Sequence, residues 1–160
     1  MIYVISLKKF ILLLALFATL QLNAQISEET AIKKVIAELF SGMQKFDTAS
    51  IRPLFHHDVR LQTALMNPKT SMTRLQTESI DSFLFQIARL KSDTLKIEER
   101  VIGYEIKIDF PMASVWAPYE FFINDKLSHT GTDAFQLFKS TEGWIIIQIC
   151  DTRKKVKRLK

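Results

Sequence analysis

The chain has 160 residues, enough for one hydrophobic core, and its formal net charge is +5. Two lysines lie in the first ten residues and six basic residues in the last eight, so the body between them counts 14 basic against 17 acidic residues. This balance argues against nucleic acid as a partner, and the single cysteine, Cys150, excludes an internal disulfide.

The first 24 residues have the order of a secretory signal peptide. Lys8 and Lys9 precede an apolar run over residues 10–20, and a short segment ending at Ala24 follows. A run of 11 residues is shorter than the roughly 20 that a membrane-spanning helix needs. We expect cleavage after Ala24 and a periplasmic or secreted mature protein without a stable membrane anchor. An uncleaved anchor is the alternative.

Three helices are predicted in the first half of the mature chain. Asp47 is expected to cap a short second helix over residues 48–55, and Thr77 a third helix. Between these two, the alternation of Val59, Leu61 and Thr63 with polar residues predicts a half-buried strand. The first helix has apolar residues at helical spacing, which predict a wide buried stripe: Ile32, Val35, Ile36, Leu39, Phe40 and Met43.

Four strands are predicted in the second half, over residues 95–109, 112–124, 127–138 and 144–152. Their connections are short, which favours antiparallel pairing because parallel neighbours need crossovers of about a dozen residues. The sequence therefore predicts an α+β domain over residues 25–152, in which three N-terminal helices pack on one face of a curved antiparallel sheet. A solvated basic tail is expected over residues 153–160.

Strand alternation predicts which side chains face the helices and line a pocket. Trp116, Phe122 and Trp144 are expected on the opposite face, where an apolar patch of this size predicts a homodimer formed through the sheet. The predicted ligand-binding residues on the inner face are Tyr119, Phe121, His129, Asp133, Phe135, Ile147, Ile149 and Asp151.

Asp133, Asp151 and His129 are the candidates for chemistry in this pocket. A desolvated Asp133 would have a raised pKa, and a second carboxylate nearby would raise it further because both resist ionising together. His129 would be a partner to either. In the alternative interpretation, Asp133 caps a backbone group or pairs with Arg153 or Arg74 at the rim.

Other kinds of site have little support in the sequence. His56, His57 and Asp58 are adjacent, in a predicted loop, and no spaced set of metal ligands is present, so we expect no metal. The chain has only four glycines and contains no glycine-rich phosphate loop or G-x-S-x-G motif, so we expect no cofactor.

The order of elements resembles the nuclear transport factor 2-like superfamily, which includes ketosteroid isomerase, scytalone dehydratase, polyketide cyclases, and SnoaL-like and lumazine-binding-like proteins. The resemblance rests on the amphipathic first helix, on "LFHHDV" at the start of the first strand, and on a four-strand meander ending in "GWII". It covers residues 27–153, and residues 114–153 are similar to exported, uncharacterised bacterial members. It implies a cone-shaped sheet, a site inside the cone and frequent dimerisation.

The isomerase's catalytic residues can be compared with this chain position by position. Thr63 falls at the position of the general base, Leu39 at that of the oxyanion tyrosine, and Asp133 at that of the protonated aspartic acid. One of these three roles is matched, so the resemblance does not imply steroid isomerisation. The paired histidines of the dehydratase have no counterpart, since His56 and His57 precede the strand.

The sequence therefore predicts an exported protein that binds a small apolar or mixed-polarity molecule in an apolar pocket. One alternative is a cofactor-independent isomerase, dehydratase or cyclase that uses Asp133 with His129 or Asp151. A second alternative is a non-catalytic dimeric interaction module whose working surface is the outer face of the sheet. A deep pocket favours the first two hypotheses, and a pocket plugged by side chains favours the third.

Overall fold

The computed structural model describes residues 27–92 and 94–155, so the predicted signal peptide lies outside the described residues. No helix in the described part is long and apolar enough to cross a membrane. The elements are α1 (residues 27–44), α2 (Thr48–Ile51), a 3₁₀ turn (Arg52–Leu54), β1 (Phe55–Met66), β2 (Thr73–Glu78), α3 (Ile80–Arg89), β3 (Ile97–Val101), β4 (Glu105–Asp109), β5 (Met112–Ile123), β6 (Lys126–Lys139) and β7 (Trp144–Lys155).

The seven strands form one curled, unclosed sheet in the order β2-β1-β7-β6-β5-β3, with β4 pairing to β5. The predicted α+β class with a curved sheet is confirmed. The sheet is mixed rather than wholly antiparallel, because β1 pairs with β7 in parallel. The rest of the domain separates these two strands in sequence and supplies the long crossover that parallel pairing needs.

The helices and the sheet bury one continuous apolar core between them. α1 contributes its predicted stripe to this core, and Ile32 and Ile36 are completely buried. α2 adds Ile51, and α3 adds Ile80 and Ile87. The strands contribute residues from their concave face, among them Leu61, Val115, Ala117, Phe135, Leu137 and Ile146.

Helix ends and strand breaks follow local chemistry. The predicted cap at Asp47 is confirmed, since its carboxylate accepts a hydrogen bond from the Ser50 amide at 3.2 Å. The predicted cap at Thr77 is wrong because Thr77 belongs to β2, and Ser79 caps α3. The single strand predicted over residues 95–109 is two strands, β3 and β4, which separate opposite Pro118 of β5; proline has no amide proton for the ladder.

A bulge between β6 and β7 corrects the predicted faces of the last strand. Gln148 pairs with Gln136, but Ile146 pairs with Leu137, so Ile147 is an extra residue in the ladder. Residues on either side of it therefore change face. Trp144, predicted on the outer face, is only 4 % exposed and packs in the core.

The outer face is consequently less apolar than predicted. Trp116 is 53 % exposed there, but Phe122 is half-buried and lies under the Arg100 guanidinium, 4.1 Å from its ring centroid. Met112 and Phe138, which pair across β5 and β6, add apolar surface to the same face. β7 continues to Lys155, so the first three residues of the predicted basic tail belong to the sheet.

Candidate functional site

A cavity of about 290 Å³ lies between the concave face of the sheet and helices α1 and α3. Its wall is mostly apolar, with aromatic rings from both the helices and the sheet, as is typical of small-molecule sites. Seven of the eight predicted ligand-binding residues line the cavity. Ile147 does not, because the bulge in β7 removes it from the inner face. The apolar wall includes Leu39, Phe40, Leu61, Phe83, Phe135 and Ile149.

Strand register brings the polar side chains together at one end of the cavity. Asp133 of β6 lies opposite Asp151 of β7. Four residues further along β6, Phe121 of β5 lies opposite both His129 of β6 and Glu99 of β3. Because all five share the concave face, the three carboxylates and the imidazole line one polar end.

Asp133 and Glu99 form a pair of carboxyl groups that share a hydrogen bond. Burial raises the pKa of Asp133 to about 7, and burial and then the charge of Asp133 raise the pKa of Glu99 well above its usual value. The hydrogen bond requires that one carboxyl, Glu99, keeps its proton. The pair therefore holds one proton on Glu99, and Asp133 takes up or gives up a second proton near neutral pH.

One oxygen of Asp133 is buried and receives no hydrogen bond from an N–H group or a hydroxyl of the described residues. The residue is 5 % exposed, and Oδ2 has no hydrogen-bond partner among the described residues. The predicted alternative, an ion pair between Asp133 and Arg153 or Arg74, is wrong, because Arg153 donates from Nε to Asp151 Oδ2 at 2.8 Å and Arg74 does not line the cavity.

Tyr119 ties the polar end to β7. Its hydroxyl donates to the Thr152 carbonyl at 3.0 Å and lies 3.4 Å from Asp151 Oδ2. Burial and the nearby carboxylates raise the pKa of Tyr119. The phenol reaches β7 by crossing over Gly131, where a Cβ atom would lie 2.6 Å from the Tyr119 hydroxyl. A glycine is therefore required at position 131 for this contact.

His129 lies at the side of the cavity, stacked on Phe121 with ring centroids 4.8 Å apart. Burial, and then the charge of Arg153, lower its pKa, so the imidazole is neutral at neutral pH. It contacts Ser128 through Nδ1 at 3.2 Å. A neutral ring with this packing is suited to hold a ligand in place by hydrogen bonding or stacking.

Sequence reasoning missed Glu99, although the pattern contained a signal. Glu99 lies between Ile97 and Val101 at strand spacing, so it shares their inner face. The prediction treated residues 95–109 as one strand without assigning faces. Thr63, which is buried beside Asp151 in the register between β1 and β7, also lines the cavity; the sequence pointed to it only through its match to the isomerase's general-base position.

The group His56, His57 and Asp58 lies away from this cavity. The register between β1 and β7 jumps from Phe55 to Arg60, so these residues leave the ladder at the start of the strand. They are not in a loop, and their ligand atoms lie within 4.8 Å of one another. However, His56 Nδ1 accepts from the Asp58 amide and His57 pairs with the Asp58 carboxylate. The pocket carboxylates do not form such a group.

No family model matches the chain, and no curated protein matches it in sequence. Solved structures match it in fold. An NTF2-like protein of unknown function from Shewanella baltica is 18 % identical, with a TM-score of 0.59 over 82 % of this chain and 97 % of its own. The β subunit of a proposed aromatic-ring-hydroxylating dioxygenase from Novosphingobium aromaticivorans is 15 % identical, with a TM-score of 0.66 over 84 % of this chain and 93 % of its own.

A proposed dehydratase of the NTF2-like family from Streptomyces avermitilis is 10 % identical, with a TM-score of 0.60 over 83 % of this chain and 99 % of its own. The chain therefore has the NTF2-like fold, as its resemblance to that superfamily implied. At these identities the likeness concerns the fold, and the function has to be argued from the site.

Proposed function

We propose that this protein binds a small, largely apolar molecule in the cavity between the sheet and the helices. The apolar wall would bury the body of the ligand, and the polar end formed by Glu99, Asp133 and Asp151 would orient it. The observation that carries the proposal is the position of Asp133, which lines the cavity and whose Oδ2 is buried without a donor among the described residues. A ligand that donates a hydrogen bond to Asp133 would offset the free-energy cost of burying that carboxyl group without a partner.

Native mass spectrometry of the mature protein, purified from a host that exports it, tests this proposal. We expect a co-purified small molecule that is released on denaturation and is lost in Asp133→Ala. The matched control is Glu142→Ala, which removes an exposed carboxylate in the turn between β6 and β7. An empty wild-type protein that takes up no apolar molecule from cell extracts would contradict the proposal.

Export and dimerisation are part of the same proposal. Export is supported by the order of residues 1–24, and its test is the N-terminal sequence of the secreted protein, expected to begin at Gln25. Dimerisation is supported by the exposed Trp116, Met112 and Phe138 on the outer face. A monomer by light scattering at micromolar concentration would rule it out, and with it the interaction module.

A second candidate function is cofactor-independent acid–base catalysis, such as an isomerase, dehydratase or cyclase reaction. The observation in its favour is the hydrogen-bonded carboxyl pair of Glu99 and Asp133, in which Asp133 exchanges a proton near neutral pH. Glu99 takes the partner role that the sequence assigned to His129 or Asp151. The test is to incubate the extracted ligand with fresh protein and follow its mass and isomer composition. Conversion by wild type and not by Asp133→Asn would establish catalysis.

A further inference from the structure

Acidic side chains outnumber basic ones around the cavity. Four carboxylate side chains line it, and Arg153 is the one lysine or arginine among its lining residues. Glu78 accepts a hydrogen bond from Gln86 at 2.6 Å, and Asp151 is paired with Arg153. Glu99 and Asp133 form no ion pair with a lysine or arginine of the described residues, although the charge of Arg153 acts on both from its position beside Asp151. The cavity is therefore an acidic site.

The carboxyl pair needs a positive charge or a proton to be stable. Two buried carboxylates cannot both ionise without a compensating cation, and Asp133 Oδ2 has no donor when Glu99 is ionised. In the empty protein the shared proton meets this need. A ligand that brings its own positive charge would replace that proton and satisfy both carboxylates.

We propose that the polar end of the cavity recognises an organic ammonium group, so that the ligand is an apolar amine held by Asp133 and Glu99. This inference rests on the binding function proposed above and names the chemical class of its ligand. The aromatic rings of Tyr119 and Phe121 line the same end and favour a cation. The neutral imidazole of His129 does not repel a cation and presents a ring nitrogen as an acceptor.

An ammonium group fits this site better than a metal ion. The ligand atoms of Glu99, Asp133 and Asp151 do not converge into a metal-binding group, and Asp151 is already engaged by Arg153 and close to Tyr119. The greater part of the cavity wall is apolar and offers nothing to a hydrated ion, whereas it would bury the hydrocarbon body of an amine.

Binding of an amine should strengthen as the pH rises through the range in which Asp133 loses its proton. The groups that face Asp133 are Glu99 from β3, Tyr119 from β5, Asp151 and Arg153 from β7, and His129 on β6 itself, whereas β1 contributes the uncharged Thr63 and α1 apolar residues. Protonation of His129 at lower pH would add repulsion and act in the same direction.

The experiment compares naphthylmethylamine with naphthylmethanol, which share an apolar body and differ in charge, by isothermal titration calorimetry of the mature protein. At about pH 8 we expect the amine to bind at least about tenfold more tightly than the alcohol, and this preference to shrink at about pH 5.5. Asp133→Asn should abolish the preference, whereas Glu142→Gln, at an exposed turn residue, should preserve it. Glu99→Gln serves as a second test if Asp133→Asn does not fold.

An amine that binds no more tightly than the alcohol, or does not bind, overturns the inference. If the alcohol binds in that case, the proposed binding function stands and only the ligand class is wrong. Competition of Mg²⁺ or Ca²⁺ with the amine would also overturn it, in favour of a metal site. Preserved discrimination in both Asp133→Asn and Glu99→Gln would show that the cation is held elsewhere.

Discussion

Two carboxylates, Glu28 next to β6 and Asp133 within it, differ in the hydrogen-bond donors that surround them. Glu28 of α1 accepts a hydrogen bond from Lys139 Nζ at 2.7 Å and another from Trp144 Nε1 at 2.6 Å. These bonds lower the pKa of Glu28, with Lys139 as the main cause. Asp133, six residues before Lys139, has one oxygen without a donor, and burial raises its pKa to about 7.

The difference separates a structural tie from a binding group. Glu28 accepts two hydrogen bonds from the protein at Oε2, and its side chain is partly exposed, so it connects α1 to the β6–β7 hairpin without being fully desolvated. Asp133 is held in an unfavourable state by the fold and gains from a ligand that supplies a donor or a charge. A buried polar group that the protein leaves unsatisfied is therefore the stronger indication of function.

The largest expected loss of stability comes from truncating Phe135, the core residue of β6 that lies between Asp133 and Lys139. Phe135 is 1 % exposed, packs edge-on against Phe40 with centroids 6.3 Å apart, and also lines the cavity. We expect Phe135→Ala to lower the free energy of unfolding by about 3–5 kcal/mol in urea titrations. Phe85→Ala, on the exposed face of α3 at 62 % exposure, is the control and should cost about 1 kcal/mol or less. Equal losses would contradict the assigned faces.

The next effect is the pH dependence that Asp133 causes. Because the folded state holds this proton more tightly than the unfolded chain, stability should fall as the pH rises from about 4 to about 7. We expect wild type to lose about 2–4 kcal/mol relative to Asp133→Asn over this range, measured by urea titrations at each pH. The lowered pKa of His129 makes stability rise with pH instead. This contribution is the same in wild type and in Asp133→Asn, so it cancels in the comparison. Parallel pH profiles for the two would show that Asp133 is not desolvated.

Gly131→Ala tests the contact that orders the polar end. The added Cβ would collide with the Thr152 carbonyl oxygen and would meet the Tyr119 ring at 2.6 Å. We therefore expect a loss of about 1–3 kcal/mol, with displacement of Tyr119 and of the adjoining backbone of β7. Gly103→Ala is the matched control, because a Cβ there meets nothing within 4 Å. Thermal unfolding of both variants gives the comparison, and a Gly131→Ala protein as stable as Gly103→Ala would argue against this packing.

The smallest loss of stability is expected for Glu28, which links α1 to the β6–β7 hairpin. Glu28→Gln should cost about 1 kcal/mol at neutral pH, because the group is partly exposed and its ion pair with Lys139 is screened. Since the pKa of Glu28 is lowered, its contribution should disappear as the pH falls below the usual glutamate range. Urea titrations against Glu142→Gln measure it. A gain in stability would mean that Glu28 resembles Asp133 and not a satisfied carboxylate.

Local patterns in the sequence determined much of this protein. The 3.6-residue period of α1 predicted its buried stripe, and the alternation in β5 and β6 placed Tyr119, Phe121, Asp133 and Phe135 on the inner face. These features depend on neighbours within one element, where side-chain direction follows from backbone geometry alone. The α+β class followed from the order of such elements along the chain.

Only the tertiary structure decided how separate strands meet. Three features depend on the register between distant segments. They are the parallel pairing of β1 with β7, the bulge that turns Ile147 away from the cavity, and the contact of Glu99 with Asp133. A one-residue shift in register changes the face of every later side chain, and the local pattern around an all-apolar strand such as β7 does not specify it. The carboxyl pair arises from this pairing, because residues 34 positions apart become neighbours only when the sheet forms.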